Sequence, residues 1–210
     1  MRARRTSWRA LALRANAERS PTAPVDTRTH YFDNNVVFQF CAWQAAGVRR
    51  HQAILIGHGA LVLCFGLVAG FGFTFHLLGE LSLWPVPGGV PVQIPGDPAR
   101  WRGAHVGGIT NGLMAMAVGL ALPVAALEER VERWVTWGIV GAVWGNVVFY
   151  VSNALGAANH GLSFGGNRLG PGDVLGMIGF FGAYPGAFVA PVMLVLLARG
   201  AFRAARIQRS

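Results

Sequence analysis

Four long apolar segments constrain this chain more than any other feature of its sequence. An α-helix rises about 1.5 Å per residue, so about 20 apolar residues cross a hydrocarbon layer of about 30 Å. A helix also satisfies its own backbone hydrogen bonds, which lipid cannot do. The sequence therefore predicts an all-α fold, an integral membrane bundle of four transmembrane helices, with spans over about residues 53–78, 104–127, 134–155 and 174–198.

The connections between the spans contain residues that end helices. Residues 79–101 include five prolines, which predict an external loop with Trp84 and Trp101 as anchors at the membrane interface. The acidic and basic residues of 128–133 predict a tight turn between the second and third spans. The third connection is a glycine-rich loop whose last residue, Asp173, is predicted to cap the fourth span.

The arginines lie mainly at the two ends of the chain. Nine of the eighteen basic residues fall within the first fifty positions and four within the last twelve. A net charge of +9 on a folded surface would suggest a nucleic-acid partner, but basic segments flanking apolar spans are typical of a membrane protein. The sequence predicts contact with anionic lipid and no nucleic-acid partner.

The distribution of arginines also predicts the orientation in the membrane. Four spans place both termini on one side, and eight of the eleven arginines close to the membrane lie on that side. By the positive-inside rule, both termini are predicted to be cytoplasmic, in a bacterial inner membrane. The predicted division is an Arg-rich extension over 1–50, disordered or peripheral, a four-helix transmembrane domain over 51–200 and a basic C-terminal tail over 201–210.

Polar residues within the spans are the first candidates for function, because an unpartnered polar group in hydrocarbon costs several kcal/mol. In the second span, His105 and Asn111 require polar partners. In the third span, Asn146, Tyr150 and Asn153 stand at i, i+4 and i+7 and therefore share one helix face. This face is predicted either to line a cavity or to form a hydrogen-bonded seam with another helix.

His105 has two interpretations from its position alone. It is either a histidine that merely caps the interface or the axial ligand of a haem, beside Gly107, Gly108 and Gly112, which allow a close approach. Antiparallel spans predict that His76 lies at a depth similar to that of His105. The pair would then be the two ligands of an electron-transfer b-type haem, which is a rival hypothesis.

Six short motifs together resemble the styrene oxide isomerase family, a family of small four-span membrane enzymes. The resemblance covers about residues 55–200 and includes the order of the spans and the lengths of the loops. The motifs are GHG at 57–59, IPGDPARW at 94–101, AH at 104–105, NG at 111–112, WGNVVFY at 144–150 and GLSFGGNRLGPGD at 161–173.

The resemblance implies a homotrimer that holds haem b between its subunits. It implies that His105 is the ligand of the ferric iron, that Asn111 and Tyr150 line the epoxide position, and that Gly108 and Arg102 adjoin the cofactor. Arg100 is the alternative partner of the haem propionates. The implied reaction is a Meinwald rearrangement, in which an epoxide is isomerised to an aldehyde. A looser resemblance to hydroxylaminobenzene mutase implies an alternative rearrangement enzyme.

Overall fold

Four long helices form the part of the chain that the computed structural model describes, which is residues 49–82, 85 and 89–207. Each is long and apolar enough to cross a membrane, so the predicted all-α bundle of four membrane helices is confirmed. Except for residues 49 and 50, the predicted N-terminal extension lies outside the described residues. The helices are α1 (Arg50–Leu78), α2 (Pro98–Ala125), α3 (Glu129–Ala154) and α4 (Val174–Ile207).

Helix α2 begins earlier than the apolar pattern predicts. The side chain of Asp97 accepts a hydrogen bond of 3.2 Å from the backbone N–H of Arg100, and Pro98 occupies the first helical turn. An aspartate cap followed by proline starts a helix because the cap satisfies a free N–H and proline has none to leave unpaired. The loop prediction therefore holds only to Asp97.

The predicted turn over residues 128–133 is wrong, because α3 already begins at Glu129. Glu129 and Glu132 lie in its first turn, where negative charge interacts favourably with the helix dipole. Helix α4 likewise continues past residue 198 to Ile207. Alanine and arginine favour helix even where the apolar pattern has ended, so the predicted tail begins inside α4.

The proline-rich connection contains a short hairpin that the sequence did not predict. Glu80–Leu81 (β1) pairs in antiparallel orientation with Val90–Pro91 (β2). The connection ends against α2, where the indole N–H of Trp101 donates to the carbonyl of Pro95 at 2.8 Å. Trp84, the other predicted anchor, lies outside the described residues.

Helices α2 and α3 are the centre of the bundle. Each contacts the three other helices, whereas α1 and α4 do not contact each other within the described part of the chain. Helix α1 packs closely on α2 because glycines face each other: a Cβ atom on Gly108 would lie 2.5 Å from the Cα of Gly66. The apolar core includes the fully buried side chains of Leu55, Leu122 and Ile139.

Candidate functional site

Three of the predicted polar residues form one hydrogen-bonded cluster between α2 and α3. The amide nitrogen of Asn146 donates to the side-chain oxygen of Asn111 at 2.8 Å. The amide nitrogen of Asn111 lies 3.2 Å from the hydroxyl oxygen of Tyr150 and 2.8 Å from the carbonyl of Gly107. All three side chains are partly buried. The cluster joins two helices, so the seam that the sequence allowed is present.

The direction of these hydrogen bonds follows from the carbonyl of Gly107. A carbonyl oxygen only accepts, so the nitrogen of the Asn111 amide must face it and the amide oxygen must face Asn146. The same nitrogen can only donate to Tyr150, whose oxygen therefore accepts. The hydroxyl hydrogen of Tyr150 is left to donate to something else. A small molecule with an oxygen acceptor is one such partner.

Gly107 makes room for the tyrosine. A Cβ atom at this position would lie 2.5 Å from the Tyr150 hydroxyl oxygen, which is closer than side chains tolerate. From the sequence, Gly107 was expected to allow the close approach of a haem. The structure instead places it directly against the ring of Tyr150, while its carbonyl orients Asn111.

Asn153 does not belong to the cluster, although it shares the predicted helix face. Its side chain is buried, and its amide nitrogen donates to the carbonyl of Phe149, one turn earlier on the same helix, at 3.1 Å. The i, i+4, i+7 spacing predicts a common face but not a common partner. Of the three residues predicted to share this helix face, Asn146 and Tyr150 contact Asn111 and Asn153 does not.

His105 is oriented by the backbone of α1. Its Nδ1 lies 2.8 Å from the carbonyl oxygen of Gly66, and since that oxygen can only accept, Nδ1 carries the hydrogen. In the neutral imidazole, the lone pair then lies on Nε2. A hydrogen bond from one ring nitrogen to a backbone carbonyl is the arrangement that commonly orients a metal-ligating histidine.

A glycine also clears the space beside the His105 ring. A Cβ atom on Gly70 would lie 2.6 Å from Nδ1 of His105. The His105 ring thus contacts α1, whereas the side chains of Asn111 and Tyr150 meet between α2 and α3. Among the described residues, no hydrogen bond joins His105 to the cluster.

His76 is bound to the external loop, with its Nδ1 3.0 Å from the carbonyl of Ile94. It lies six residues beyond Gly70, or about 9 Å further along α1. The prediction that His76 and His105 share one depth is therefore not supported. The paired-ligand hypothesis loses its geometric basis within one chain.

The two arginines beside His105 differ in their contacts. Arg100 forms an ion pair of 2.8 Å with Asp97, and it donates to the carbonyl of Ala157 at 2.7 Å and to Nε2 of His160 at 3.0 Å. Arg102 is exposed and has no side-chain hydrogen bond or ion pair with any residue that the structure describes. Arg102 is therefore the arginine free to bind an anionic group.

The glycine-rich loop is fastened to α2 by Arg100, to which the sequence assigned no such role, and to α4 by Asp173. Asp173 is the predicted cap of α4, and it accepts from the backbone N–H groups of Gly176 at 2.6 Å and Ala158 at 2.8 Å. The hydrogen bond from Ala158, then that from Gly176, and the nearby Arg100 charge hold the pKa of this carboxyl below its ordinary value. Pro171 and Gly172, which precede Asp173, were the available sequence signal for its capping role.

His58, in the GHG motif, forms a separate polar contact nearer the other end of the bundle. The indole N–H of Trp144 donates to its Nδ1 at 3.0 Å, and the Trp137 ring meets it edge-on at 6.4 Å. Both tryptophans are largely exposed. No group of three or more His, Cys, Asp or Glu residues capable of holding a metal occurs in the described ranges.

Comparisons with known proteins point to one family. The family model described as styrene oxide isomerase matches residues 51–202. The chain is also similar to the styrene-oxide isomerase of Pseudomonas fluorescens, with 34% identity over 131 residues. That match spans 62% of this chain and 76% of the relative. His105, the Asn111 cluster and the fastened loop all lie inside the matched region.

Proposed function

Because the chain belongs to the styrene oxide isomerase family and is a membrane-embedded isomerase, we propose that it converts aryl epoxides to aryl acetaldehydes. The proposed reaction is a Meinwald rearrangement of substrates of the styrene oxide type. The oriented chain of Asn146, Asn111 and Tyr150 is the observation that carries this proposal, because it leaves one hydroxyl hydrogen for an oxygen acceptor.

His105 would bind the iron of haem b. In the neutral ring Nε2 carries the lone pair, Nδ1–H is fixed to the Gly66 carbonyl, and Gly70 leaves room beside the ring. Arg102 would meet a propionate, since Arg100 is already engaged. Gly108 packs against Gly66, so we assign it to holding α1 and α2 together next to the cofactor rather than to touching it. Bound haem b would supply a ferric Lewis acid for the epoxide oxygen.

Tyr150 would act on the oxygen atom of the epoxide. As the benzylic C–O bond opens, negative charge develops on oxygen, and a fixed O–H donor stabilises that charge more than it stabilises the substrate. Asn111 holds the hydroxyl by donating to its oxygen, and Asn146 holds Asn111. We therefore propose Tyr150 as the donor to substrate and Asn111 as the residue that orients it.

The reaction needs no base from the protein. After the C–O bond breaks, a hydride moves from the oxygen-bearing carbon to the benzylic carbon, and the carbonyl forms on the carbon that lost it. No atom or electron enters or leaves. A reaction without a base is compatible with the cluster, in which none of the described partners of Tyr150 and Asn111 is a carboxylate.

The two parts of the site support assembly as a homotrimer with haem between subunits. The ring of His105 contacts α1, whereas Tyr150 lies between α2 and α3. No hydrogen bond connects the two side chains in the described part of the chain. We propose that a site shared by neighbouring copies brings the two parts to one cofactor. Helices α1 and α4, the outer helices of the bundle, remain available for such contacts.

The function is tested by assaying purified protein without oxygen or reductant. We expect a haem absorption band and stoichiometric conversion of styrene oxide to phenylacetaldehyde. A preparation free of haem that keeps full activity would refute the cofactor, and a preparation containing haem that never isomerises an epoxide would refute the reaction.

Replacing Asn146 with leucine is expected to slow turnover by about five- to tenfold, which corresponds to the loss of one hydrogen bond of about 1 kcal/mol. Leucine has nearly the same size but cannot donate to Asn111, so Asn111 would hold Tyr150 less firmly. The haem spectrum should not change. Asn153→Leu is the matched control, because the side chain of Asn153 donates only to Phe149 of its own helix and its removal should leave kcat unchanged. Equal losses in both variants would show a general packing effect.

A further inference from the structure

A groove lies at the end of the bundle away from the external hairpin. It encloses about 640 Å³ where α2 ends, α3 begins and α4 reaches its last turns. This end also holds the start of α1, because Arg49 forms an ion pair with Glu132 of α3 at 3.6 Å. The residues that line the groove are Leu127, Glu128, Val131, Leu196, Arg199, Gly200, Phe202, Arg203, Arg206 and Ile207.

The groove carries a net positive charge. Arg199, Arg203 and Arg206 stand at i, i+4 and i+7, so they share one face of α4. Glu128 is the one acidic residue of the lining, which leaves three positive charges against one negative. Arg203 donates to the carbonyl of Ala126 at 3.3 Å, and this contact ties the basic face to the turn between α2 and α3.

The rest of the lining is apolar. Leu127, Val131 and Leu196 are partly buried, and the Phe202 side chain is 69% exposed beside the arginines. The groove begins where the continuous apolar part of α4 gives way to arginine, which is the depth at which hydrocarbon meets lipid headgroups. The apolar part of the groove suits a hydrocarbon chain, and the guanidinium groups at the headgroup depth suit an anionic head.

We propose that this groove is a binding site for one anionic phospholipid. The arginines of α4 bind its phosphate, and the apolar lining holds the first part of an acyl chain. Guanidinium groups suit this role because they bind phosphate oxygens through two parallel hydrogen bonds. The lipid joins the last turns of α4 to the turn that precedes α3, beside the hydrogen bond from Arg203 to Ala126.

The test is lipid retention by the full-length protein in detergent, measured by native mass spectrometry. Phosphatidylglycerol and phosphatidylcholine with identical acyl chains are added in turn, and wild type is expected to retain the anionic lipid preferentially. In the variant R199Q/R203Q/R206Q this preference should fall by at least about tenfold. The control R50Q/R130Q/R133Q removes three exposed arginines from the same end of the bundle, outside the groove, and should keep the preference.

Three results would overturn the proposal. Equal losses in the groove variant and the control would show a diffuse surface attraction. Displacement of bound phosphatidylglycerol by millimolar inorganic phosphate or glycerol phosphate would show a site for soluble anions. Unchanged retention in the groove variant would show that another surface binds the lipid. If the triple variant does not fold, the single change Arg206→Gln in the last turn of α4 must still lower retention measurably.

Discussion

Replacing His105 with alanine should abolish both haem binding and isomerase activity. The imidazole is the proposed ligand, and the ring is already oriented by the Gly66 carbonyl with Nε2 free. Loss of the Lewis acid removes several kcal/mol of charge stabilisation, so kcat should fall by about a thousandfold or more. The measurements are the absorption spectrum of purified protein and anaerobic conversion of styrene oxide.

His76→Ala is the matched control for this change. His76 is also on a membrane helix and also binds a backbone carbonyl through Nδ1, but it lies about 9 Å beyond the glycine that adjoins His105. It should keep haem and activity, with at most a small loss of stability in the hairpin. If His76→Ala lost the haem as completely as His105→Ala, the paired-ligand electron-transfer hypothesis would replace the isomerase site described above.

Replacing Tyr150 with phenylalanine should lower kcat by about 10²- to 10³-fold while haem binding is retained. This is the usual cost of removing one donor aimed at a developing negative charge. The ring should stay in place because its Cζ and Cε2 atoms, which phenylalanine keeps, also pack against Gly107. Steady-state kinetics and the haem spectrum of the same preparation separate the two effects. Parallel loss of haem and activity would make Tyr150 a structural residue.

Tyr184→Phe provides the control for tyrosine substitution. Tyr184 lies on the exposed side of α4, where its ring packs beside Phe180 and Phe188. It has no hydrogen bond to the described residues, so turnover should match wild type.

The two inactive variants, His105→Ala and Tyr150→Phe, together test the proposed trimer. If each site takes His105 from one subunit and Tyr150 from its neighbour, mixed trimers of His105→Ala and Tyr150→Phe chains contain complete sites. With random mixing, about a quarter of the sites would be complete. Co-expression should therefore restore about a quarter of wild-type activity, whereas a site contained within one subunit would give none.

The sequence predicted the number of helices well because apolar length is decisive in a membrane. It predicted the ends poorly because charged residues such as Glu129 and Arg206 still favour helix where hydropathy falls. Hydropathy indicates which part of a helix can lie in the lipid. Backbone hydrogen bonding, which continues past that limit, decides where a helix stops.

The site was predicted in part. Spacing placed Asn146 and Tyr150 on one face, and both do reach Asn111, but spacing also included Asn153, which bonds within its own helix. The direction of the hydrogen bonds depends on the carbonyl of Gly107, and the orientation of His105 on that of Gly66. Every residue has the same backbone carbonyl, so no sequence pattern predicts these contacts.

The use of a main-chain carbonyl to orient His105 has an evolutionary consequence. A side-chain partner can be lost by one mutation, but the Gly66 carbonyl is present whatever residue occupies that position. A side chain at this position would push α1 away from α2 and move the carbonyl, because a Cβ atom on Gly66 would lie 2.5 Å from the backbone nitrogen of Ile109. The outward-facing side chains of α1 can therefore change without moving this carbonyl, whereas Gly66 cannot be enlarged without moving it.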